Sequence, residues 1–324
     1  MTAYVPTPEA ASPPARWTVL EVIRWTAARF TERGLPTPRL DAEILVAHAL
    51  ALPRVQLYVQ FDRPLTADEL AAIRALIKRR QAGESVAYLV GKKEFWGIDF
   101  AVDARVLVPR PDTETLIEEA RERLGALAAR VGGAGLSPAE PVAGGDGNPS
   151  RVPEVADSLR IADVGTGSGA IALTLAKLLP SATVVAVDVS PGALEVARGN
   201  AERLSLAVTF LEGDLDAPLA GLAPFSLIAA NLPYIPTGDM ASLPPEVKSE
   251  PALALDGGAD GLGLVRRLVA AAPALLAPGG VLVLEIGAGQ AAATAEILGA
   301  AGFSDVRVRR DLGGIDRVVS GARA

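Results

Sequence analysis

The sequence predicts an α/β protein in which a small helical domain precedes a doubly wound, mostly parallel sheet. Two observations predict this architecture. From Leu159 onward, short runs rich in Val and Ile alternate with helical stretches, which is typical of a parallel sheet covered on both faces. Before about residue 85, apolar residues recur at helical spacing instead. The chain has 324 residues, 50% of them hydrophobic, so it is long enough to bury a core in each part.

Three helices are predicted in the first part. The run TVLEVIRWTAARF places its apolar residues on one face and has Thr18 available as N-cap. A second helix covers LDAEILVAHAL, and a third begins with a capping box formed by Thr66 and Glu69. We therefore predict a helical domain over residues 16–85.

A β-hairpin is predicted to connect the two parts over residues 86–112. The run YLVGKKEFWGIDFAVDARVLV alternates between apolar and polar residues and is interrupted by glycines, as two strands joined by a turn would be. A helix is predicted to follow the prolines at 109 and 111, with Asp112 or Thr113 as its cap.

The third predicted domain spans residues 113–324 and contains an insertion. Residues 131–155 are mainly Gly, Pro, Ala and Ser and have no periodic apolar pattern, so they cannot bury enough surface to offset the entropy of ordering. We predict that this insertion is disordered. Seven strands are predicted in the rest of the domain: RIADVG, VVAVDV, VTFLEG, FSLIAAN, VLVLEI, VRVRR and RVVSG.

Composition argues against several kinds of site. The chain has no cysteine, which excludes disulfides, thiolate nucleophiles and cysteine-ligated zinc, and no metal is expected. Its single histidine, His48, falls on the apolar pattern of a helix, where we expect a packing or capping role. The formal net charge of −7 argues against binding through nucleic-acid phosphates, so no direct nucleic-acid partner is expected.

The location and assembly of the protein are also expectations from the sequence. No signal-peptide pattern opens the chain. The longest apolar stretches are interrupted by charges, prolines and glycines before they reach the roughly 20 residues that a membrane span needs. We expect a cytoplasmic protein that has no membrane partner and acts as a monomer.

A glycine-rich turn follows the first strand of the predicted sheet. Glycines at alternate positions let the backbone turn tightly and approach a ligand, and the next helix offers unpaired N–H groups. The GxGxG spacing alone is also compatible with a simple strand-to-helix turn. The predicted cofactor-binding residues of this glycine turn are Gly165, Thr166, Gly167, Ser168 and Gly169.

Acidic residues end the next two strands. Asp188 closes VVAVDV, where a carboxylate can accept both hydroxyls of a ribose, although it could also cap the helix near Ser190. After VTFLE, Asp214 could hold the edge of an adenine and Leu215 could cover its ring, although an Asp beside a Gly is common at strand ends. The glycine turn and Asp188 together predict a nucleoside cofactor.

The tetrapeptide NLPY, residues 231–234, follows the apolar run FSLIAA. An amide nitrogen is a poor nucleophile because its lone pair is delocalised. Asn231 and the backbone carbonyl of Leu232 can both accept hydrogen bonds from an NH₂ group and so fix its direction, and Tyr234 can pack on a planar group. The alternative is an ordinary proline turn at a strand end. Together with the glycine turn and Asp188, the motif predicts methyl transfer from S-adenosylmethionine to a planar, nitrogen-bearing group.

Five segments resemble the release factor glutamine methyltransferases (the PrmC/HemK family), in the same order and over nearly the whole chain except the insertion. They are GESVAYLVGKKEFWGIDFAVDARVLVPRPDTETLIE, DVGTGSGAIAL, AVDVS, ANLPYIP and EPALALDGGADGL. The resemblance implies a Rossmann-like class I methyltransferase fold, with S-adenosylmethionine as cofactor. It also implies methylation of the glutamine side-chain amide in the Gly-Gly-Gln motif of peptide chain release factors, which act in translation termination. The helical domain would bind the release factor.

The resemblance also implies a role for individual residues. The cofactor site would comprise the glycine turn together with Asp188, Asp214, Leu215 and Asn231. Asn231 and Tyr234 would be the catalytic residues. The residues that bind the substrate would be Asn231, Leu232, Pro233 and Tyr234.

One position departs from the family pattern, which is Asn-Pro-Pro-Tyr. Leu232 stands where the first proline belongs, so the ring that fixes φ is missing while the backbone carbonyl remains. We expect slower or looser catalysis rather than its loss. Three alternatives stay open: methylation of a glutamine in a ribosomal protein, methylation of the adenine amino group of DNA, and cofactor binding without turnover.

Overall fold

The computed structural model describes residues 17–130 and 159–324. The insertion predicted at residues 131–155 therefore lies outside the described residues. The chain divides between Val90 and Gly91 into two compact units. The predicted division into residues 16–85, 86–112 and 113–324 stays a prediction.

The first unit is a bundle of helices. Helix α1 begins at a capping box, in which the Thr18 hydroxyl accepts the N–H of Glu21 and the Glu21 carboxylate accepts the N–H of Thr18. Thr66 and Glu69 begin α4 in the same reciprocal way, as predicted. The helices are α1 (Val19–Glu32), α2 (Pro38–Ala49), α3 (Arg54–Val59), α4 (Ala67–Gln81) and α5 (Val86–Val90).

Apolar side chains from these helices form one core. Val19 and Phe30, on the predicted apolar face of α1, are fully buried. Arg80 and Asp41 form an ion pair inside the bundle, with Arg80 Nε 2.8 Å from Asp41 Oδ2. His48 lies exposed in the last turn of α2, so it does not pack in the core.

Two short helices differ from the expectation. The sequence pattern does not predict α3. Residues Val86–Val90 belong to a stretch predicted to be extended, yet they form α5. The Ser85 hydroxyl accepts the N–H of Tyr88 and caps this turn, and Leu89 packs into the core. The first strand therefore starts at Lys92.

The second unit contains a hairpin, a seven-stranded sheet and helices. Strands β1 (Lys92–Phe95) and β2 (Ile98–Ala101) pair antiparallel and form the predicted hairpin. The sheet contains β3 (Arg160–Val164), β4 (Thr183–Asp188), β5 (Thr209–Glu212), β6 (Phe225–Ala230), β7 (Leu276–Glu285), β8 (Phe303–Arg310) and β9 (Asp316–Arg323). The helices are α6 (Glu114–Arg130), α7 (Ala170–Leu178), α8 (Pro191–Leu204), α9 (Pro245–Lys248), α10 (Gly263–Leu275) and α11 (Ala291–Ala300).

The strand order of the sheet is β5-β4-β3-β6-β7-β9-β8. The strands from β5 to β7 run parallel, and β9 is antiparallel to both β7 and β8. The predicted seven-stranded, mostly parallel sheet is confirmed. The chain runs from β3 to β4 and β5 on one side and later returns to β6 on the other side. The carboxyl ends of β3 and β6 therefore form a topological switch point, where such sheets bind ligands.

The register of the strands aligns the residues that follow them. Val164 of β3 pairs with Ala230 of β6, so Gly165 and Asn231 leave adjacent strands at the same level. By the register of β6 with β7, Glu285 at the end of β7 is level with Asn231. The register therefore places Gly165, Asn231 and Glu285 at the same level, at the carboxyl ends of the central strands.

Helices cover both faces of the sheet. Helices α6, α7 and α8 pack on one face together with the hairpin, and α10 and α11 pack on the other. Asn200 of α8 is fully buried. Its Nδ2 donates to the carbonyls of Ala101 (3.0 Å) and Ser168 (2.9 Å), and its Oδ1 accepts the Ala101 N–H. One side chain thus joins the end of the hairpin to the glycine turn.

In the described parts of both units, every helix falls short of the length and apolarity that crossing a bilayer requires.

Candidate active site

A cavity of about 410 Å³ opens at the carboxyl ends of the central strands. Its volume lies within the range of small-molecule sites. The structure brings nearly all of the predicted site residues to its wall. Those that line it are Gly165, Thr166, Gly167, Ser168, Asp188, Asp214, Leu215, Asn231, Leu232 and Pro233.

The glycine turn connects β3 to α7 with its glycines in the left-handed region. Gly165 has φ +76° and Gly167 has φ +55°. A Cβ on Gly165 would lie 3.2 Å from Leu232 Cδ2, so both the backbone angle and the contact favour glycine there. Gly169 is not among the described residues that line the cavity. It precedes α7 with φ +83°, and a Cβ there would lie 2.9 Å from Leu173 Cδ1, so the structure accounts for it by packing.

A buried carboxyl group, Asp163, stabilises the glycine turn by hydrogen bonds. Its Oδ2 accepts the Thr166 hydroxyl at 2.7 Å and the Ala172 N–H at 3.1 Å, which ties the turn to the first residues of α7. Burial raises the pKa of Asp163 to about 7, although these two hydrogen bonds lower it. Asp163 supports the turn without lining the cavity.

Asp188 faces the cavity at the end of β4. Its two carboxylate oxygens accept backbone N–H groups, from Gly167 at 2.8 Å and from Ser190 at 2.9 Å. Burial raises the pKa of Asp188, and these hydrogen bonds oppose the shift. The cap of the next helix is Ser190, whose hydroxyl accepts the Ala193 N–H. Each oxygen of Asp188 keeps acceptor capacity for a further donor, such as a hydroxyl group.

Asp214 and Leu215 occupy the wall beyond β5. Asp214 Oδ2 is 2.6 Å from an Arg267 nitrogen, and both side chains of this ion pair are more than half exposed. Leu215 is buried and has φ +49°. Leu215 therefore gives the cavity an apolar wall, while the carboxylate of Asp214 is engaged by Arg267.

Asn231 lies where two cavities meet. It lines the larger cavity and also a second one of about 270 Å³. Its Nδ2 donates to the hydroxyl of Thr113 at 3.2 Å. Thr113 is one of the two residues predicted to cap α6, but it lies in a 3-10 turn, Pro111–Thr113, and its hydroxyl meets Asn231. With Nδ2 directed to Thr113, Oδ1 is the acceptor that Asn231 can offer elsewhere.

The other residues of the NLPY motif divide between the cavities. Leu232 is buried in the core beneath α10 and faces the glycine turn. The cis peptide bond in the described chain joins Ala223 to Pro224, so the Leu232–Pro233 bond is trans. Tyr234 lines the smaller cavity, not the larger one. Burial raises the pKa of Tyr234, and the nearby charge of Glu285 adds to this.

A glycine-rich loop supports the backbone of the NLPY motif. The loop carries the DGGADGL segment, and the Gly257 N–H donates to the Ile235 carbonyl at 2.8 Å. A Cβ on Gly257 would lie 2.5 Å from the Pro233 carbonyl oxygen, and one on Gly261 would overlap the Tyr234 carbonyl. The loop can lie this close to the motif only because both positions are glycine.

Arg110 lines both cavities and is held by a buried carboxylate. Its guanidinium lies 2.5 Å from Glu250 Oε1, and Glu250 is 5% exposed. Burial raises the pKa of Glu250, and the charge of Arg110 lowers it. The ion pair therefore fixes the Arg110 guanidinium in the wall of both cavities, which Asn231 also lines.

Sequence reasoning does not single out Thr113 as a site residue, nor Arg110, Glu250 or Glu285. The first three lie in the segments VLVPRPDTE and EPALALDGG, which carry part of the family resemblance without indicating a role for these side chains. The signal for Glu285 is weaker. It is a carboxylate at the end of the apolar run VLVLE, and only the strand register brings it beside Asn231.

Two family models match the chain. One describes the PrmC N-terminal domain and covers residues 21–91, and the other describes a methyltransferase domain and covers residues 161–249. Among curated proteins, the release factor glutamine methyltransferase of Geobacter sulfurreducens is 44% identical over 95% of this chain and 98% of its own length. That of Chlorobaculum tepidum is 43% identical over 94% of this chain and 97% of its own length.

Similarity to solved structures concerns the fold. The hMettl16 catalytic domain, solved in complex with a 3′UTR hairpin, matches with a TM-score of 0.50 at 15% identity. The match covers 79% of this chain and 80% of that chain. Together with the methyltransferase family model, it is consistent with the seven-stranded sheet and its connections.

Proposed function

The chain belongs to the family of release factor glutamine methyltransferases, and we propose that it methylates the glutamine of the Gly-Gly-Gln motif in a peptide chain release factor. The acceptor is the side-chain amide nitrogen and the donor is S-adenosylmethionine. The observation that carries the proposal is the position of Asn231, which lines both cavities. A donor in the larger cavity and an acceptor in the smaller one would meet at its side chain.

The larger cavity fits S-adenosylmethionine by its chemistry. Asp188 is partly buried and keeps acceptor capacity for ribose hydroxyls, and Leu215 offers an apolar surface for a ring. Gly165, Thr166 and Gly167 bring the backbone of the glycine turn into the wall of this cavity. The cofactor supplies a methyl group on a positively charged sulfur, which a neutral nucleophile can attack.

The side chain of Asn231 and the backbone of Leu232 orient the nucleophile. An amide NH₂ that donates one hydrogen to Asn231 Oδ1 and the other to the Leu232 carbonyl has its nitrogen lone pair directed by both acceptors. Bound S-adenosylmethionine would supply the methyl group, while Asn231 Oδ1 and the Leu232 carbonyl would hold the two amide hydrogens, one of which would be released as a proton. Tyr234, in the wall of the smaller cavity, offers its ring face to the planar amide.

Leu232 affects the rate rather than the chemistry. The proline it replaces would restrict φ, and losing such a restriction typically costs about 0.4–1 kcal/mol, which corresponds to roughly two- to fivefold in rate. Its side chain is buried against the glycine turn, so the backbone at this position is still held by packing. We expect a working enzyme with moderately slower turnover.

The helical unit offers an apolar surface for a protein substrate. Helix α3 exposes Val55, Tyr58 and Val59 at helical spacing, with Phe61 just beyond it, and each is more than half exposed. Adjacent exposed apolar side chains of this kind are typical of protein-binding surfaces. We propose that this α3 surface, defined by these four residues, contacts the release factor.

The test is a methylation assay with the purified protein and S-adenosylmethionine labelled in its methyl group. The candidate acceptors are a release factor, the same factor with its motif glutamine changed to alanine, ribosomal protein, and double-stranded DNA. Label is expected in the first acceptor alone, and mass spectrometry should place it on the glutamine. Label in the alanine variant, or in ribosomal protein or DNA instead, would contradict the proposal, and so would binding of cofactor without any turnover.

A further inference from the structure

Glu285 is a buried carboxyl group beside Asn231 that the reaction described above does not use. It ends β7 and is 2% exposed. Among the described residues, no hydrogen-bond partner meets its Oε2 atom. Leaving a carboxylate oxygen buried and unpaired is costly, so its position needs an explanation.

Thr113 connects this carboxyl group to the site. Thr113 is 4% exposed, and its hydroxyl accepts the Asn231 Nδ2–H at 3.2 Å. Both Thr113 and Asn231 lie near enough to Glu285 to favour its charged form by hydrogen bonding. Buried Thr113 and Glu285 and partly buried Asn231 therefore form a cluster of polar groups beside the ends of β6 and β7.

The charge of Glu285 determines which way the hydrogen bonds in this cluster run. An ionised carboxylate can only accept, so a Thr113 hydroxyl that bonds to Glu285 supplies the hydrogen of that bond. The oxygen of that hydroxyl is then free to accept from Asn231 Nδ2, which is the bond observed. Asn231 Oδ1 is left for the junction of the two cavities.

We propose that Glu285 is a positioning residue, which acts through Thr113 to hold Asn231 with its oxygen rather than its nitrogen towards the substrate amide. This inference rests on the proposed function, because it concerns how the nitrogen of the substrate amide is held for methylation. An asparagine turned the other way would present N–H groups to the NH₂ of the substrate and could not accept from it.

Charged and titratable groups surround Glu285 from three directions. Arg317 comes from β9, Asp112 from the turn before α6, and Tyr234 from the segment after β6. Arg317 pairs with Asp112 and Asp311, each at 3.2 Å, so its charge is shared. Burial, the largest influence, raises the pKa of Glu285 to about 7, and Arg317 lowers it only in part.

The pKa of Glu285 determines whether turnover falls on the acidic or the basic side. Above about pH 7, Glu285 is ionised and fixes the direction of the hydrogen bonds. Below it, the protonated carboxyl group can donate to Thr113, and Asn231 is no longer held in one orientation. Turnover should therefore fall as the pH falls through the pKa of Glu285.

The first test compares two substitutions at Thr113. Thr113→Val keeps the shape and removes the hydroxyl, whereas Thr113→Ser keeps the hydroxyl and removes a methyl group. We expect kcat on the release factor to fall about tenfold or more in Thr113→Val and to be largely restored in Thr113→Ser. Cofactor affinity by calorimetry should stay within about twofold in both, which also shows that they fold. Equal kcat in the two variants would overturn the proposal.

The second test uses the pH profile of Glu285→Gln. The amide keeps the shape of the side chain but can donate to Thr113 at any pH. We expect a lower kcat and the loss of the acidic limb that the unaltered protein shows. An unchanged profile would overturn the proposal. These failures differ from failure of the proposed function, in which the unaltered protein itself would not methylate the release factor.

Discussion

At the scale of single residues, Asn231 combines two tasks. Its Nδ2 is engaged by Thr113, and its side chain lies at the junction of the two cavities. Because the residue follows a central strand whose neighbours on both sides are paired in register, its backbone is fixed before any ligand binds. A hydrogen-bond acceptor that is to orient a weak nucleophile needs such a fixed position.

Replacing Asn231 by alanine should therefore affect the reaction more than cofactor binding. We expect Asn231→Ala to lower kcat about tenfold or more, because a hydrogen-bond acceptor worth about 1–3 kcal/mol in the reacting complex is lost. Steady-state kinetics on the release factor and calorimetry with S-adenosylmethionine measure the two effects. An unaltered kcat would remove Asn231 from the mechanism.

Two aspartates at neighbouring strand ends should differ in their importance for the cofactor. Asp188 is partly buried, with each oxygen bonded to a loop N–H, whereas Asp214 is 58% exposed and paired with Arg267. We expect Asp188→Ala to weaken S-adenosylmethionine binding about tenfold or more, because two ribose hydroxyls and two loop N–H groups lose their partner. The control, Asp214→Ala, should change the affinity much less. Similar losses in both variants, measured by calorimetry, would place the ribose elsewhere.

Residues whose place at the cavity follows from local sequence could be predicted, and residues whose place follows from strand register could not. Asp188 and Asn231 stand directly after apolar runs, next to turn-forming residues, and the structure places both at the cavity. Glu285 stands in an equivalent position at the end of VLVLE, but nothing local shows that β7 lies beside β6. Thr113 comes from a turn more than a hundred residues away from Asn231, so its contact is visible only in the folded protein.

At the scale of elements, the loop around Gly257–Gly261 determines how closely the chain approaches the NLPY motif. The Gly257 N–H donates to the Ile235 carbonyl and the Gly258 carbonyl accepts the Thr237 N–H, just beyond the motif. Gln290 Nε2 donates to the Tyr234 carbonyl at 3.0 Å. Tyr234 is thus held by its backbone while its ring stays available to the smaller cavity.

Adding a methyl group to this loop should move the motif. Gly261 has φ +76°, and a Cβ there would overlap the Tyr234 carbonyl. We expect Gly261→Ala to destabilise the protein by about 1 kcal/mol or more and to lower kcat. A Cβ on Gly238 would meet no atom within 4 Å, and φ there lies outside the left-handed region, so Gly238→Ala is the matched control and should leave both quantities unchanged. Thermal unfolding and kinetics test this, and equal behaviour of the two variants would show that the loop does not support the motif.

The hydrophobic pattern of the sequence predicts the strands of the sheet, but it does not predict the short helices. All seven predicted sheet strands are present, because runs of Val, Ile and Leu bounded by helices have few other ways to be buried. In contrast, Val86–Val90 is a short apolar run that can be buried as strand or helix, and the cap from Ser85 favours the helix. Helix α3 has six residues, which is too short for periodicity to identify.

At the scale of the whole molecule, the two compact units differ in what they offer. The cavities lie in the second unit, whereas the first unit offers the α3 surface. A long protein substrate can be recognised at some distance from its reacting glutamine, so recognition and reaction can be assigned to different units. The change from helical spacing to alternating strands and helices predicts a helical part before the sheet, while the predicted domain bounds stay a prediction.

Charges on the α3 surface should separate recognition from chemistry. We expect the double variant Val55→Asp, Val59→Asp to raise KM for the release factor about tenfold, because carboxylates would be buried against the partner. Its kcat/KM on a short peptide containing Gly-Gly-Gln should be unchanged, since the peptide lacks the parts of the release factor that would contact this surface. Leu312→Asp, which adds a charge at a fully exposed apolar position of the second unit, is the control. An equal loss with peptide and protein would mean that the surface is not a docking site.

The buried amide of Asn200 limits how freely α8 can change in evolution. Its carboxamide meets two carbonyls and an N–H from two different segments. Aspartate lacks the donors, and glutamine carries the amide one bond farther out. Exposed positions on the same helix can drift, but a change here would require compensating changes in both the hairpin and the glycine turn. The Asn200 side chain therefore connects two segments, at Ala101 and at Ser168, that are about seventy residues apart in sequence.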